Sequence, residues 1–122
     1  MEYSNKNFIG EDGLIHQEYY GYQTAETVKE DMRRMGDLIE KLHAQSKSAN
    51  MLLDLSGITG QDSGTRAEAF KAVKSLNYDK MALYGMNPFL KYVAKFVIST
   101  TGMGSKIGLF GSKEEATSWL KQ

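Results

Sequence analysis

The chain has 122 residues, 15 Lys+Arg against 15 Asp+Glu, one proline and no cysteine. A domain of this length buries roughly two-thirds of its unfolded surface and needs no staple, and the missing cysteines exclude a disulfide framework, a thiolate metal site and a thiol nucleophile. Balanced charge argues against a broad nucleic-acid or anionic-membrane footprint, and 41% hydrophobic with 25% charged residues is a globular composition.

The first expected element is a hairpin. Phe8-Ile9 ends one short strand, Gly10-Glu11-Asp12-Gly13 carries turn chemistry, and Leu14 to Tyr22 resumes as a strand rich in Tyr and Ile. Thr24 can cap the helix that follows. From Ala25 to about Gln45, Val28, Met32, Met35, Ile39 and Leu42 recur at helical spacing, with Lys29, Glu30, Arg33, Arg34, Asp37 and Lys41 largely on other faces. Met51 to Leu55 is a short apolar run, the pattern of a strand buried on both faces. A loop is expected from Ser56 to Gly64. Thr65 and Glu68 then have capping-box spacing for a second helix, whose apolar positions are Ala69, Phe70, Val73 and Leu76.

Lys80 to Tyr84 is a further strand. Asn87-Pro88 starts a third helix, with Asn as cap and Pro where a missing N–H costs nothing, running to about Thr100. Ile107 to Phe110 is the last strand. Ser112 and Glu115 have capping-box spacing for a closing helix that buries Ala116, Trp119 and Leu120. The order β-β-α-β-α-β-α-β-α predicts one α/β domain over residues 1–122: an N-terminal hairpin, then a mixed, mostly parallel sheet with helices packed on it.

Chemistry is sparse. The two histidines, His16 and His43, lie in the second strand and at the end of the first helix, with no serine elbow or metal-ligand spacing to join them. Asp54 ends a strand without a carboxylate partner and reads as a residue bonding loop amides. The glycines Gly57, Gly60 and Gly64 have neither dinucleotide spacing nor a following Lys-Ser/Thr. Gly102 to Lys106 follows a helix, the reverse of a phosphate loop. Tyr19, Tyr20 and Tyr22 are explained by strand propensity. No catalytic residue, cofactor, metal or nucleic-acid partner is therefore expected.

The third helix is the informative one. Phe89, Leu90, Val93, Ala94 and Val97 make a core stripe, yet Tyr92, Phe96 and Ile98 extend the apolar cover around the cylinder, and only Lys91 and Lys95 are charged. A helix covered on one side by a sheet is normally polar on the other. Its second neighbour is therefore a protein partner such as a second copy, a small lipophilic ligand, or a membrane surface toward which the lysines snorkel. Phe70, Val73, Phe89, Tyr92, Val93 and Phe96 are the candidate pocket or interface residues, with Lys91 and Lys95 at the rim. Met86 and Met103 are adaptable fillers.

The segment Leu53-Asp54-Leu55-Ser56-Gly57-Ile58-Thr59, followed by Asp62-Ser63-Gly64, resembles the strand-and-loop motif of STAS domains. The stretch Asn87-Pro88-Phe89-Leu90 through Val93-Ala94-Lys95 and the ending Ile107 to Leu120 resemble the SpoIIAA-like branch, often labelled STAS/Sec14-like. The resemblance covers nearly the whole chain and implies a STAS-like fold. It implies an interaction module associated with apolar ligands and membranes or, alternatively, an anti-sigma-factor-antagonist-like regulator that docks a partner through residues 56–65. Kinase-switched antagonists read Asp-Ser-Ser-Gly there, whereas this chain has the single serine of Asp62-Ser63-Gly64. Aligned without a gap from Asp54, Gly64 falls at the phosphorylated position; aligned on Ser-Gly, the loop is one residue short and Ser63 is the candidate phosphorylation site, with Asp62 and Thr65 beside it as loop and cap residues. The start MEYSNKN lacks a basic stretch followed by an apolar one, and the longest uncharged runs are about half the roughly 20 residues of a spanning helix, so a cytoplasmic location is expected.

Overall fold

The computed structural model describes residues 3–122. Its elements are β1 (Lys6–Ile9), β2 (Ile15–Gln23), α1 (Ala25–Ala44), β3 (Asn50–Gln61), α2 (Ser63–Ser75), β4 (Lys80–Tyr84), α3 (Pro88–Thr101), β5 (Ile107–Leu109) and α4 (Lys113–Leu120). The five strands lie side by side in chain order, β1 antiparallel to β2 and the other three pairs parallel. Three parallel crossovers thus step across the sheet in one direction. Such crossovers are right-handed almost without exception, so successive ones in one direction deliver their helices to the same face. Accordingly α1, α2 and α3 share one face, and α4, which crosses to no further strand, covers β3 and β4 from the other.

The β3 run shows the two-sided burial its composition predicts. Met51 and Leu53 point into the larger core with Ile15, Met35, Ile39 and Leu42, while Leu52 joins Leu14, Ala82, Ala116 and Leu120 under α4. Tyr78 is almost wholly buried; its hydroxyl donates to the Val73 carbonyl (2.9 Å), and burial pushes its phenol up to about 12. On the outer face of α1, Arg33 and Arg34 hold the Glu30 carboxyl down at about 2.

The helix ends follow their caps. The Thr24 side chain accepts from the Thr27 N–H, Asn87 Oδ1 from the Leu90 N–H (2.8 Å), and Ser112 Oγ from the Glu115 N–H (3.2 Å). Gly102 closes α3 in the left-handed region (φ 71°), where glycine has no Cβ to clash.

Three expectations are corrected. The segment 56–61 is a continuation of β3 rather than a loop, paired with Tyr20–Gln23 of β2 through two register shifts. Gly57 permits this, because a Cβ there would collide with the Tyr19 carbonyl. The cap of α2 is Asp62 rather than Thr65: its Oδ1 accepts from the N–H groups of Gly64 (3.1 Å) and Thr65 (3.0 Å). Glu68 does not reach back to a cap; it is buried between Lys71 (3.3 Å) and Lys29 of α1 (3.9 Å). In α1 the buried stripe runs through Asp31, and Met32 is only half-buried. The face turned to the sheet there meets the polar residues Asn5 and Gln17, which a carboxyl can satisfy and a thioether cannot.

Candidate functional site

The third helix packs mainly on α2 and stands off the sheet. Its inner side therefore fails to close the core, and a cavity of about 460 Å³ lies between α1, α2, α3 and the sheet. Leu53, Leu55, Met81 and Leu83 form the floor, Ala69 and Val73 one wall, and Phe89, Val93, Ala94 and Val97 the roof. The volume falls within the roughly 300–1,000 Å³ of small-molecule sites. The rim residues Ser63, Arg66 and Phe89 are exposed, and they place the opening near the first turns of α2 and α3. That is the side beyond the carboxyl ends of the parallel strands, where open α/β sheets bind their ligands.

The wall made by α1 and β2 is polar. Tyr19, Gln23 and Asp31 line it. Asp31 has no exposed surface, and its carboxyl accepts from the Tyr3 hydroxyl and from Asn5 Nδ2 (2.9 Å). Burial pushes that carboxyl above its ordinary value, against the pull of these donors. Gln23 is saturated: its Oε1 accepts from Asn5 Nδ2 (2.8 Å), and its Nε2 donates to the Asn5 Oδ1 (3.2 Å) and to the Tyr20 carbonyl (3.1 Å). Tyr19 differs. It is half-buried in the wall, and desolvation with the neighbouring Asp31 and Tyr3 pushes its phenol up. Gln17 lies beside the same carboxyl, with Nε2 outside hydrogen-bonding geometry.

Of the residues singled out by pattern, Val73, Phe89 and Val93 line the cavity, and Asp62, Ser63 and Thr65 lie along it as well. The two candidate regions, α3 and residues 62–65, thus meet at one opening. Tyr92 (72% exposed) and Phe96 (52%) stand on the outer surface of α3 with Lys91 and Lys95. Phe70 is half-buried outside the cavity wall, with the Lys74 ammonium 5.6 Å from its ring centre. Met86 and Met103 do not line the cavity; the Met103 sulfur sits 3.4 Å from the Tyr78 hydroxyl.

The polar wall went unread in the sequence. Its signal was available: Asp31 falls three residues after Val28 and four before Met35, on the apolar stripe itself. Asp54 bonds locally, its Oδ1 accepting from the Ser56 N–H (2.9 Å) and hydroxyl (2.6 Å). His16 pairs with Asp12 (3.0 Å) and His43 with Asp79 (2.9 Å), away from the cavity. Among the described residues there is no acidic or histidine cluster fit to hold a metal, and no helix long and apolar enough to cross a membrane.

A family model described as SpoIIAA-like matches residues 23–121, most of the chain. The protein belongs to the SpoIIAA-like family. Solved structures share the fold of this SpoIIAA-like chain at low identity. The anti-sigma factor antagonist SpoIIAA in its unphosphorylated form superposes with a TM-score of 0.65 at 10% identity, covering 97% of this chain and 98% of that one. The Bacillus cell fate determinant SpoIIAA in its phosphorylated form gives 0.64 at 13%, covering 96% and 99%. An uncharacterized Shewanella loihica PV-4 protein with a SpoIIAA-like fold gives 0.61 at 17%, covering 96% and 92%. No curated protein matches. The STAS-like α/β fold expected from motif order is thus the fold of this SpoIIAA-like protein.

Proposed function

We propose that this SpoIIAA-like protein is a non-enzymatic binding module that takes a small lipophilic ligand into the cavity beneath α3. The observation that carries the reading is the cavity of about 460 Å³ with a mainly apolar lining. A well-packed core of this size leaves few voids larger than a water molecule. Phe89 belongs both to the cavity wall and to the exposed surface of α3, with Tyr92 and Phe96 further along and Lys91 and Lys95 between them. In this reading the outer face of α3 rests on a membrane surface, with lysines reaching headgroups, while the ligand passes the rim at Phe89. The test is organic extraction of the protein purified from its own cells, followed by mass spectrometry, with vesicle flotation beside it. A stoichiometric lipophile in the extract and a flotation loss in the Tyr92→Ser/Phe96→Ser double variant are expected. An empty extract together with no flotation removes the reading. A concentration-dependent dimer in light scattering, abolished by the same double variant, would assign the face of α3 to a second copy instead.

A second reading is an antagonist-like regulator docking a protein partner at residues 56–65. The observation that favours it is Ser63, exposed in the first turn of α2, at the positive end of the helix dipole. Intact-mass analysis of the protein from its own cells checks it. A one-phosphate mass gain that disappears in Ser63→Ala supports the reading, and its absence under all growth conditions sinks it.

A further inference from the structure

The charged groups at the cavity say what kind of lipophile fits, given the ligand-binding reading above. Among the described residues, two carboxyls and one guanidinium line it: Asp31, Asp62 and Arg66. The carboxyls are already satisfied. Asp31 has no exposed surface and accepts from Tyr3 and Asn5. Asp62 is held by its own helix, its Oδ1 accepting from the N–H groups of Gly64 (3.1 Å) and Thr65 (3.0 Å) and from the Thr65 hydroxyl (2.9 Å). Arg66 stands exposed at the rim and forms no ion pair among the described residues, whereas Arg33 and Arg34 both grip Glu30. From this geometry we infer that the occupant is a single-chain lipophile with an oxyanion head, a carboxylate or phosphate, held at the mouth by the Arg66 guanidinium with its apolar chain under α3.

Helix stability does not account for Arg66. It lies near the start of α2, where the helix dipole opposes a cation. A guanidinium presents a planar fork of N–H donors that takes a carboxylate or phosphate through two parallel hydrogen bonds. At the exposed rim the head keeps part of its water, so the pair forms without the desolvation that a buried ion pair costs. The chain then runs between Phe89 and Val93 of the roof and Leu53, Leu55 and Leu83 of the floor. A cationic head would meet the unpaired Arg66 charge, with only a carboxylate already taking three donors to offset it. An uncharged head would leave Arg66 in water and gain nothing from it.

Isothermal titration calorimetry of the intact protein with decanoate, decyl phosphate, decan-1-ol and decylammonium, each as monomers at neutral pH, separates the cases, with inorganic phosphate run beside them. At least one oxyanion is expected to bind about fivefold or more tighter than the alcohol and the ammonium, and the tighter of the two tells a carboxylate head from a phosphate head. Arg66→Gln is expected to abolish that advantage and to leave alcohol affinity unchanged. The variant is expected to keep the parent's urea midpoint, since the side chain is exposed and unpaired. Alcohol or ammonium binding as tight as both oxyanions overturns the inference, as does an oxyanion advantage that survives Arg66→Gln; both leave the cavity a ligand site. Inorganic phosphate binding as tightly as decyl phosphate overturns it too, because the chain would then contribute nothing. Failure of all four decyl ligands to bind, with the protein folded by circular dichroism, overturns the ligand-binding reading itself and this inference with it.

Discussion

Ala94 lies midway along α3 on the roof of the cavity, and its replacement by leucine probes the hollow directly. Leucine adds three carbons, and each methylene taken from water stabilises by about 0.8 kcal/mol, for an upper limit of about 2.4 kcal/mol. The cavity has an opening, so part of the added surface stays wetted, and a gain of about 1–2 kcal/mol is expected. Other effects are small by comparison. Alanine and leucine are the best helix formers and differ by only a few tenths of a kcal/mol. A space of about 460 Å³ holds three more carbons without the strain of an overpacked core. Urea unfolding read at constant slope measures the change, and a thermal midpoint raised by several degrees accompanies it. Affinity for a lipophile recovered with the protein is expected to fall in the same variant, because filler and ligand compete for one volume. A loss of more than about 1 kcal/mol in Ala94→Leu would refute the reasoning, since it would mean that α3 sits flush on the sheet.

The remaining predictions concern buried polar groups and backbone. Asp31 is pushed up by burial, so the folded state holds its proton more tightly than the unfolded chain does, and stability falls as pH rises from about 4 through the folded value. Asp31→Asn should be flatter with pH and more stable than the parent at neutral pH, with the gap closing near pH 4; parallel urea midpoints across that range would contradict this. Asp79 is the opposite case: the Ala49 N–H (2.7 Å) and His43 hold its carboxyl below the usual range, so its contribution is present at neutral pH and is lost as pH falls below about 4. Asp79→Ala strands the buried Ala49 N–H and should lose about 1–3 kcal/mol in urea unfolding at pH 7, most of it absent in Asp79→Asn, which keeps an acceptor. Gly85→Ala places a Cβ 2.9 Å from the Ser56 nitrogen at φ +80° and should destabilise by more than about 1 kcal/mol in the same assay.

Elements with a single physical cause were legible in the chain. The Asn87-Pro88 start of α3, the period of α1 and the apolar run of β3 each predict the element found, and their order predicts the topology. The Ser56–Gln61 extension was not legible, because Gly, Thr and Gln carry turn chemistry locally and the strand is imposed by pairing with β2. The candidate site was half legible. Apolar residues all round α3 signalled a missing neighbour, and Val73, Phe89 and Val93 do line a cavity. Helical period alone cannot say that α3 stands off the sheet, so Tyr92 and Phe96 fell into the same group as the cavity-lining residues. Asp31 and Tyr19 do not stand out in the sequence, because an acid on an apolar stripe and a tyrosine in a strand each have ordinary explanations. Only the tertiary contact turns them into one wall.

The two faces of the sheet differ in mechanical character. The α4 face is packed around Leu52, Ala82, Ala116 and Leu120, whereas the opposite face is packed under α1 and hollow beneath α3. Hydrostatic pressure favours whichever state has the smaller volume, and voids lost on unfolding are what it acts on. An unliganded cavity under α3 should therefore make the protein soft to pressure, with loosening that begins at α3 while β3, β4 and α4 keep their packing. Filling the space, with ligand or through the Ala94→Leu substitution, should raise the pressure midpoint.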